Sequence, residues 1–226
     1  MKNHKLRSGR EVQLKLSDDG SHTLYVPELD EHYHSVFGAR TESIHVFIDA
    51  GLNQTTKQNI KILEIGFGTG LNALLTALNK AGKSIEYHSL EKYPLNDELE
   101  NNLIFSPDQT KGETVIFEKI HRAPWNETVE IIPDFKLFKI EADLLTFNFN
   151  TRYDLVFFDA FGPDVQPELW TEDVFKKIFN AMNPMGIITT YSAKGAVRRA
   201  MQSAGFEMER LPGPPKKREM LRGTKP

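Results

Sequence analysis

Residues 59–75 read NIKILEIGFGTGLNALL. The first seven, Asn59–Ile65, are apolar enough for a strand, and Leu71–Ala81 carries Leu74, Leu75 and Leu78 at helical spacing. Between them lies the bend Glu64-Ile65-Gly66-Phe67-Gly68-Thr69-Gly70. Glycine at Gly66, Gly68 and Gly70 permits a tight turn and lets backbone amides approach a ligand that a Cβ would exclude. The G-x-G-x-G spacing departs from the dinucleotide fingerprint G-x-G-x-x-G, since Thr69 and Leu71 stand where that pattern runs on. The acidic Glu64 would sit badly beside a pyrophosphate and is tolerable beside a cationic ligand.

Outward from this bend the chain alternates strand and helix. Further strands are predicted over Ser84–Leu90, Phe135–Ile140, Tyr153–Phe158, Gly186–Tyr191, Phe206–Leu211 and Arg218–Arg222. Helices are predicted over Asn96–Leu103, Gly112–His121, Pro167–Met182 and Ala193–Ala204. Tyr153–Phe158 is apolar on both faces, as a central parallel strand requires. The pattern predicts an α/β fold with a doubly wound, mostly parallel sheet of seven strands. The last strand follows the sixth through Pro212-Gly213-Pro214-Pro215 and must run antiparallel to it. By analogy, that ending suits a methyltransferase-type sheet better than a dehydrogenase. Upstream, Glu11–Ser17 and Thr23–Pro27 alternate around Asp18-Asp19-Gly20 as a β-hairpin, and Thr41 is a candidate cap for a helix reaching Leu52. Residues 1–55 are read as an N-terminal accessory element and residues 56–226 as the main domain.

Composition narrows the chemistry. With 226 residues, 39% hydrophobic and 26% charged, the chain suits a globular domain with a full core. No apolar run reaches the ~20 residues that span a bilayer, and the basic start lacks a secretory apolar stretch, so a cytoplasmic location is the default expectation. The absence of cysteine removes disulfides, thiolate nucleophiles and cysteine-based metal sites. His32 and His34 would share a strand face but bring no further ligands, so no metal is expected. Neither a nucleophile elbow nor a P-loop lysine occurs. The net charge of −3 hides a basic end: residues 192–226 hold nine Lys/Arg and three Asp/Glu, or +6, leaving −9 for the rest. That distribution fits either a polyanion contact or a solvated tail.

Three acidic residues end predicted strands. Glu91 can accept two hydrogen bonds from a ribose diol. Asp143 is either an adenine contact or a helix cap. Asp159, at the tip of the central strand in Phe157-Phe158-Asp159-Ala160-Phe161-Gly162-Pro163, is placed beside the glycine bend. A carboxylate there needs a partner or a task. The task that fits is holding an amine nucleophile, accepting its N–H and stabilising the ammonium that forms. With an ordinary pKa near 3.9, Asp159 serves positioning and electrostatics better than proton uptake unless it is desolvated. NAD enzymes place an acidic residue similarly, so Glu91 indicates an adenosine-type ligand without choosing between them. The glycine spacing and Glu64 suit S-adenosylmethionine, which has no diphosphate to neutralise and carries a sulfonium.

Several runs resemble the methyltransferase domain of the MnmC/MnmD family: Phe158–Pro163 through Gln166–Trp170, Thr190–Arg199, Gly213–Leu221, Glu64–Asn72, Glu91–Leu95, and Tyr33-His34-Ser35 with Gly38-Ala39. The resemblance spans most of the chain. It implies an S-adenosylmethionine-dependent enzyme that methylates the amine of 5-aminomethyl-(2-thio)uridine at the tRNA wobble position. It also implies the stand-alone form without the oxidase domain, with an aminomethyl-uridine-producing pathway upstream. Carried over by motif, Glu64, Gly66, Gly68, Gly70 and Asn72 would surround the methionine moiety, Glu91 the ribose and Asp143 the adenine. Asp159 would meet the substrate amine with Phe161 beside it, and Trp170 or Tyr191 could add stacking surface. Substrate contacts are expected from Tyr33, Ser35, Tyr191, Lys194, Arg198, Lys216, Lys217 and Arg218, with Arg199 nearby. One departure is Met185-Gly186, where Gly-Gly is usual. The alternatives are a methyl- or aminopropyltransferase acting on a small amine, which needs no basic end, and a non-catalytic tRNA- or cofactor-binding module.

Overall fold

The computed structural model describes residues 3–96, 99, 103–104 and 109–226. Strands β1 (Asn3–Lys5), β2 (Glu11–Leu16), β3 (His22–Val26) and β4 (Glu31–His32) form an antiparallel sheet in that order. The predicted hairpin is its centre, with Leu14 opposite Leu24 and Gln13 opposite Tyr25. Helix α1 (Ala39–Ser43) follows and runs directly into a π-helical turn over Ile44–Asp49. Thr41 is not its cap. Gly38 occupies the cap position, and the backbone N–H and hydroxyl of Thr41 both donate to Asp19 Oδ2 at 3.1 Å. The capping carboxylate thus comes from the β2–β3 turn, outside the local window in which caps are sought.

The larger sheet comprises β5 (Asn59–Ile65), β6 (Ser84–Glu91), β7 (Thr128–Ile132), β8 (Phe135–Glu141), β9 (Tyr153–Phe158), β10 (Met182–Thr190), β11 (Glu207–Pro212) and β12 (Glu219–Thr224). Its order is β11-β12-β10-β9-β5-β6-β8-β7. Strands β10, β9, β5, β6 and β8 are mutually parallel; β12 is antiparallel to both β10 and β11, as the Pro-Gly-Pro-Pro turn dictates. The α/β, mostly parallel architecture is the expected one, with an eighth strand added. That strand, β7, pairs antiparallel with β8 through a turn at Asp134, whose φ is +62°. Val129 and Ile131 alternate with Thr128 and Glu130, a pattern the sequence reading passed over.

Among the described residues the further helices of two turns or more are α2 (Leu71–Leu78), α3 (Lys111–Arg122), α4 (Glu172–Asn180) and α5 (Gly195–Ser203). A reciprocal capping box between Thr110 and Glu113 starts α3. The helix predicted over Pro167–Met182 is a 3₁₀ turn (Pro167–Trp170), then α4 capped by the Thr171 hydroxyl, and Met182 already belongs to β10. The helix predicted over Asn96–Leu103 falls largely outside the described residues. Two apolar cores result. Phe158, Trp170, Phe175 and Ile188 pack in one; Ile62, Leu74, Phe135 and Phe157 share the other with Val12, Leu24 and Val26 of the small sheet. From β5 the chain builds outward to β6 and β8 and then returns to β9 on the opposite side of β5. Ligand sites in such sheets lie at the carboxyl ends of the two strands flanking this reversal.

Candidate active site

A cavity of ≈ 660 Å³ opens at that point, within the range of small-molecule sites. Its floor is made by the ends of β5, β6 and β9, and Glu31–Phe37, from β4 onward, supply one wall. The glycine bend is geometrically obligatory. Gly66 has φ +91°, and a Cβ there would lie 2.6 Å from the carbonyl oxygen of Asp159. Gly68 has φ +52°, with the Tyr33 ring 3.1 Å from where its Cβ would stand. Gly70 precedes α2 in the left-handed conformation and faces Phe67 and His121 rather than the cavity.

Glu91 faces the cavity with both oxygens already anchored, Oε2 by the Gly68 N–H at 3.1 Å and Oε1 by the Tyr93 N–H at 2.7 Å. The backbone N–H groups of Lys92 and Phe67 also hydrogen-bond this carboxylate, so it is held by the chain on all sides but the cavity. Burial raises its pKa, opposed by those backbone donors. Asp143 lines the cavity while forming an ion pair with Lys92 at 2.8 Å and accepting the Leu145 N–H at 2.9 Å. It therefore serves the turn as well as facing the site.

Asp159 is held by Asn72, whose Nδ2 donates to Oδ2 at 2.8 Å. Burial pushes the Asp159 carboxyl up to about 7, helped by Glu42 and opposed by Asn72 and Lys217. The desolvation that would let this group take up a proton near neutrality is therefore present. Beneath it, Glu64 is fully buried and does not line the cavity. Ser89 Oγ donates to its Oε2 at 2.5 Å, and burial lifts its pKa to about 8. Of the two acids only Asp159 faces the cavity, and near neutral pH it alone carries a substantial share of negative charge there.

The aromatic lining is cross-braced. Tyr33 and Phe161 meet edge to face at 5.0 Å, Trp170 Nε1 donates to the Phe161 carbonyl at 2.8 Å, and the Tyr191 hydroxyl donates to the Ala160 carbonyl at 2.8 Å. Trp170 is buried in the core, whereas Phe161 and Tyr191 border the cavity. His34 lies hydrogen-bonded to the Thr69 hydroxyl at 2.7 Å, and burial lowers its pKa to about 4, so it is neutral. His34 thereby ties the wall to the glycine bend; among the described residues no group of three His, Cys, Asp or Glu could hold a metal.

Of the residues singled out in the sequence, Gly66, Gly68, Glu91, Asp143, Asp159, Phe161, Tyr33, Ser35, Tyr191, Lys216 and Lys217 share this cavity. Asn72 reaches it through Asp159. Lys194 and Arg218 border a shallower adjoining hollow of ≈ 370 Å³, together with Tyr191 and Lys217. Arg198 lines neither and donates to Gln202 along α5. The sequence reading missed Glu42, which lines the cavity and pairs with Lys217 at 2.9 Å. The two are 175 positions apart, and nothing in the local run Arg40-Thr41-Glu42-Ser43 marks it.

The residues fit S-adenosyl-L-methionine: a glycine cradle without Cβ atoms, the carboxylate of Glu91 facing the cavity at the end of β6, and the carboxyl of Asp159 on its floor. Fold and site define the class, and the profile of the family described as S-adenosyl-L-methionine-dependent methyltransferase matches residues 117–226. In its fold, and over residues 117–226, the chain is similar to these methyltransferases. It is 31% identical, over 93% of its length, to the tRNA 5-methylaminomethyl-2-thiouridine biosynthesis bifunctional protein MnmC of Actinobacillus pleuropneumoniae serotype 5b (strain L20), of which it covers 35%. The chain spans about a third of the length of the curated relatives it matches. The crystal structure of MNMC2 from Aquifex aeolicus superposes with a TM-score of 0.80 and 25% identity, over 98% of this chain and 73% of that one. A probable spermidine synthase from Corynebacterium glutamicum shares the fold at a TM-score of 0.54 and 14% identity, over 99% and 79%. The resemblance read from the sequence is thus borne out.

Proposed function

We propose that this chain transfers a methyl group from S-adenosyl-L-methionine to the primary amine of 5-aminomethyl-(2-thio)uridine at the tRNA wobble position, yielding the 5-methylaminomethyl product. The observation that carries the reading is the desolvated Asp159 carboxylate, placed where the glycine cradle meets an opening bordered by Lys216 and Lys217. The name of the MnmC relative supplies the tRNA context. Such work belongs in the cytoplasm, and among the described residues no helix is long and apolar enough to cross a membrane.

When bound, the cofactor supplies a methyl group on a sulfonium, an electrophile that needs no further activation. Gly66 and Gly68 would admit its methionine end, Glu91 would hold the ribose, and Asp143 would face the adenine. Asn72 aims the Asp159 carboxylate by its 2.8 Å hydrogen bond rather than contacting ligand directly. Asp159 then accepts an N–H of the substrate amine, orients the nitrogen lone pair, and takes up one proton at its carboxylate oxygen. Phe161 and Tyr191 supply the surfaces that hold a flipped base, and the wall over residues 31–37, contributed by the accessory element, excludes water. Lys194, Lys216, Lys217 and Arg218 meet the backbone phosphates.

The test is mass spectrometry of wobble nucleosides from tRNA bearing 5-aminomethyluridine, incubated with cofactor and with or without the protein. A gain of one methyl on that nucleoside supports the reading. Methylation of free small amines in preference to tRNA would replace it with the small-amine reading.

A further inference from the structure

Lys217 and Tyr191 form the partition between the main cavity and the adjoining basic hollow, since both residues line both spaces. On the inner side, Lys217 Nζ contacts both Glu42 oxygens, at 3.0 and 2.9 Å, and lies 4.6 Å above the Tyr191 ring. On the outer side lie Arg218, Glu219 and Lys194, the last already paired with Asp164. We propose that Glu42 is a second carboxylate for the substrate amine, covered by Lys217 until a phosphate of the bound nucleic acid draws the lysine outward. This inference rests on the function proposed above and adds a specificity determinant to it.

The geometry favours exchange over a fixed clasp. The turn carrying Lys217 is pinned by its own backbone: the Gly213 N–H donates to the Arg218 carbonyl at 3.1 Å and the Lys217 N–H to the Pro214 carbonyl at 2.9 Å. His45 Nε2 meets the Pro212 carbonyl at 2.8 Å, fastening the turn to the segment just after Glu42 without help from the ion pair. Rotation of the Lys217 side chain is therefore enough to change its partner. That side chain is 35% exposed, while Glu42 is only 14% exposed and looks into the cavity.

The chemistry requires such an exchange. An aliphatic primary amine arrives as an ammonium at neutral pH, as lysine does. Asp159 near half-ionisation supplies only part of a charge to hold it, and a lysine left beside the site repels it. A phosphate in the hollow offers Lys217 an anion equal to the one it leaves, with the exposed Arg218 sharing the contact and Glu219 and the Lys194–Asp164 pair at its edge. Glu42 is then free to face the ammonium alongside Asp159. Recognition of the amine becomes conditional on the polyanion that bears it, which selects a nucleic-acid amine over a free one.

The experiment compares wild type, Glu42→Gln, Glu42→Asp and Lys217→Met on tRNA bearing 5-aminomethyluridine and on the free nucleoside 5-aminomethyluridine. Single-turnover rates with pre-bound tRNA, salt dependence of tRNA affinity, and melting temperature are recorded. We expect Glu42→Gln to slow single turnover at least tenfold with an unaltered salt slope, and Glu42→Asp to recover part of that loss. Lys217→Met should lower the log–log salt slope by about 0.7–0.9, one phosphate contact, and raise the nucleoside-to-tRNA rate ratio. A Glu42→Gln rate within threefold of wild type overturns the inference, as does an unaltered rate ratio for Lys217→Met. Equal losses of melting temperature in both, with no other change, make the pair a structural clasp and overturn it too. If wild type itself fails to methylate the tRNA, the proposed function falls, and this inference with it.

Discussion

Replacing Asp159 by asparagine should make the protein more stable and much slower. In the folded chain the carboxyl is pushed up to about 7 from its ordinary 3.8. A raised carboxyl pKa means that the folded state binds the proton more tightly. Its contribution is therefore fully present below pH 3.8 and is lost as pH rises towards 7. At about 1.4 kcal/mol per pH unit, the stability lost relative to low pH is about 1.6 kcal/mol at pH 5, where only the unfolded chain ionises this group, and about 4 kcal/mol at pH 8, where the folded carboxyl is ionised too. Asparagine keeps the shape and an oxygen for Asn72 but never ionises. The ligand-free variant should gain stability over wild type by those amounts, a rise in melting temperature of roughly 8–16 °C at pH 8. Single-turnover methyl transfer on pre-bound tRNA should meanwhile fall by two to three orders of magnitude, about 3–4 kcal/mol of barrier, because the anion facing the developing ammonium is gone. Paired melting curves from pH 5 to 8 and rapid-quench assays read both effects. A stability gain that does not change with pH would refute the buried-carboxylate argument. A rate loss under about threefold, less than ~0.7 kcal/mol, would reduce Asp159 to a turn residue.

Other perturbations probe the remaining parts of the site and the fold. Gly68→Val places a branched side chain at φ +52° against the Tyr33 ring, and calorimetry should show S-adenosyl-L-methionine binding lost while thermal unfolding stays cooperative; unchanged affinity would remove the glycine bend from the site. Replacing Lys216, Lys217 and Arg218 together by alanine should reduce the log–log salt slope of tRNA binding by about 2–3, with cofactor affinity untouched; an unaltered slope would leave these residues as a solvated turn. Met185→Gly should raise the unfolding free energy by about 1 kcal/mol, because Met185 holds φ +63° as a 71% exposed residue, so a left-handed cost is removed without loss of packing. A lower denaturation midpoint for that variant would contradict the assignment of strain there.

The glycine bend, the buried strand Tyr153–Phe158 and the antiparallel ending were legible because each is written locally, in φ-permissive residues, two-faced apolarity or a proline turn. Asp159 was legible by its position at a strand tip, but the state of its carboxyl was not: its desolvation is a property of the assembled cavity. The same holds for Asn72, whose place in the motif suggests a ligand contact while the fold turns its amide onto Asp159. Glu42 and the capping of α1 by Asp19 depend on pairings across 175 and 22 positions, which no periodicity encodes. The eighth strand was missed for another reason: five residues with only Ile131 fully covered give a weak alternation at a sheet edge.

The wall over residues 31–37 is one unbroken run of chain, whereas Glu91, Asp143 and Asp159 stand at or just past the ends of three different strands of the larger sheet. What the cavity admits and how it reacts are therefore carried on separate inheritable pieces. Substitutions along the run can reshape the entrance while leaving every charged group on the floor in place. The run is not independent of the floor, however, because His34 grips Thr69 within the very bend that would hold the cofactor. Altered selectivity should accordingly arrive together with altered residence time of the cofactor.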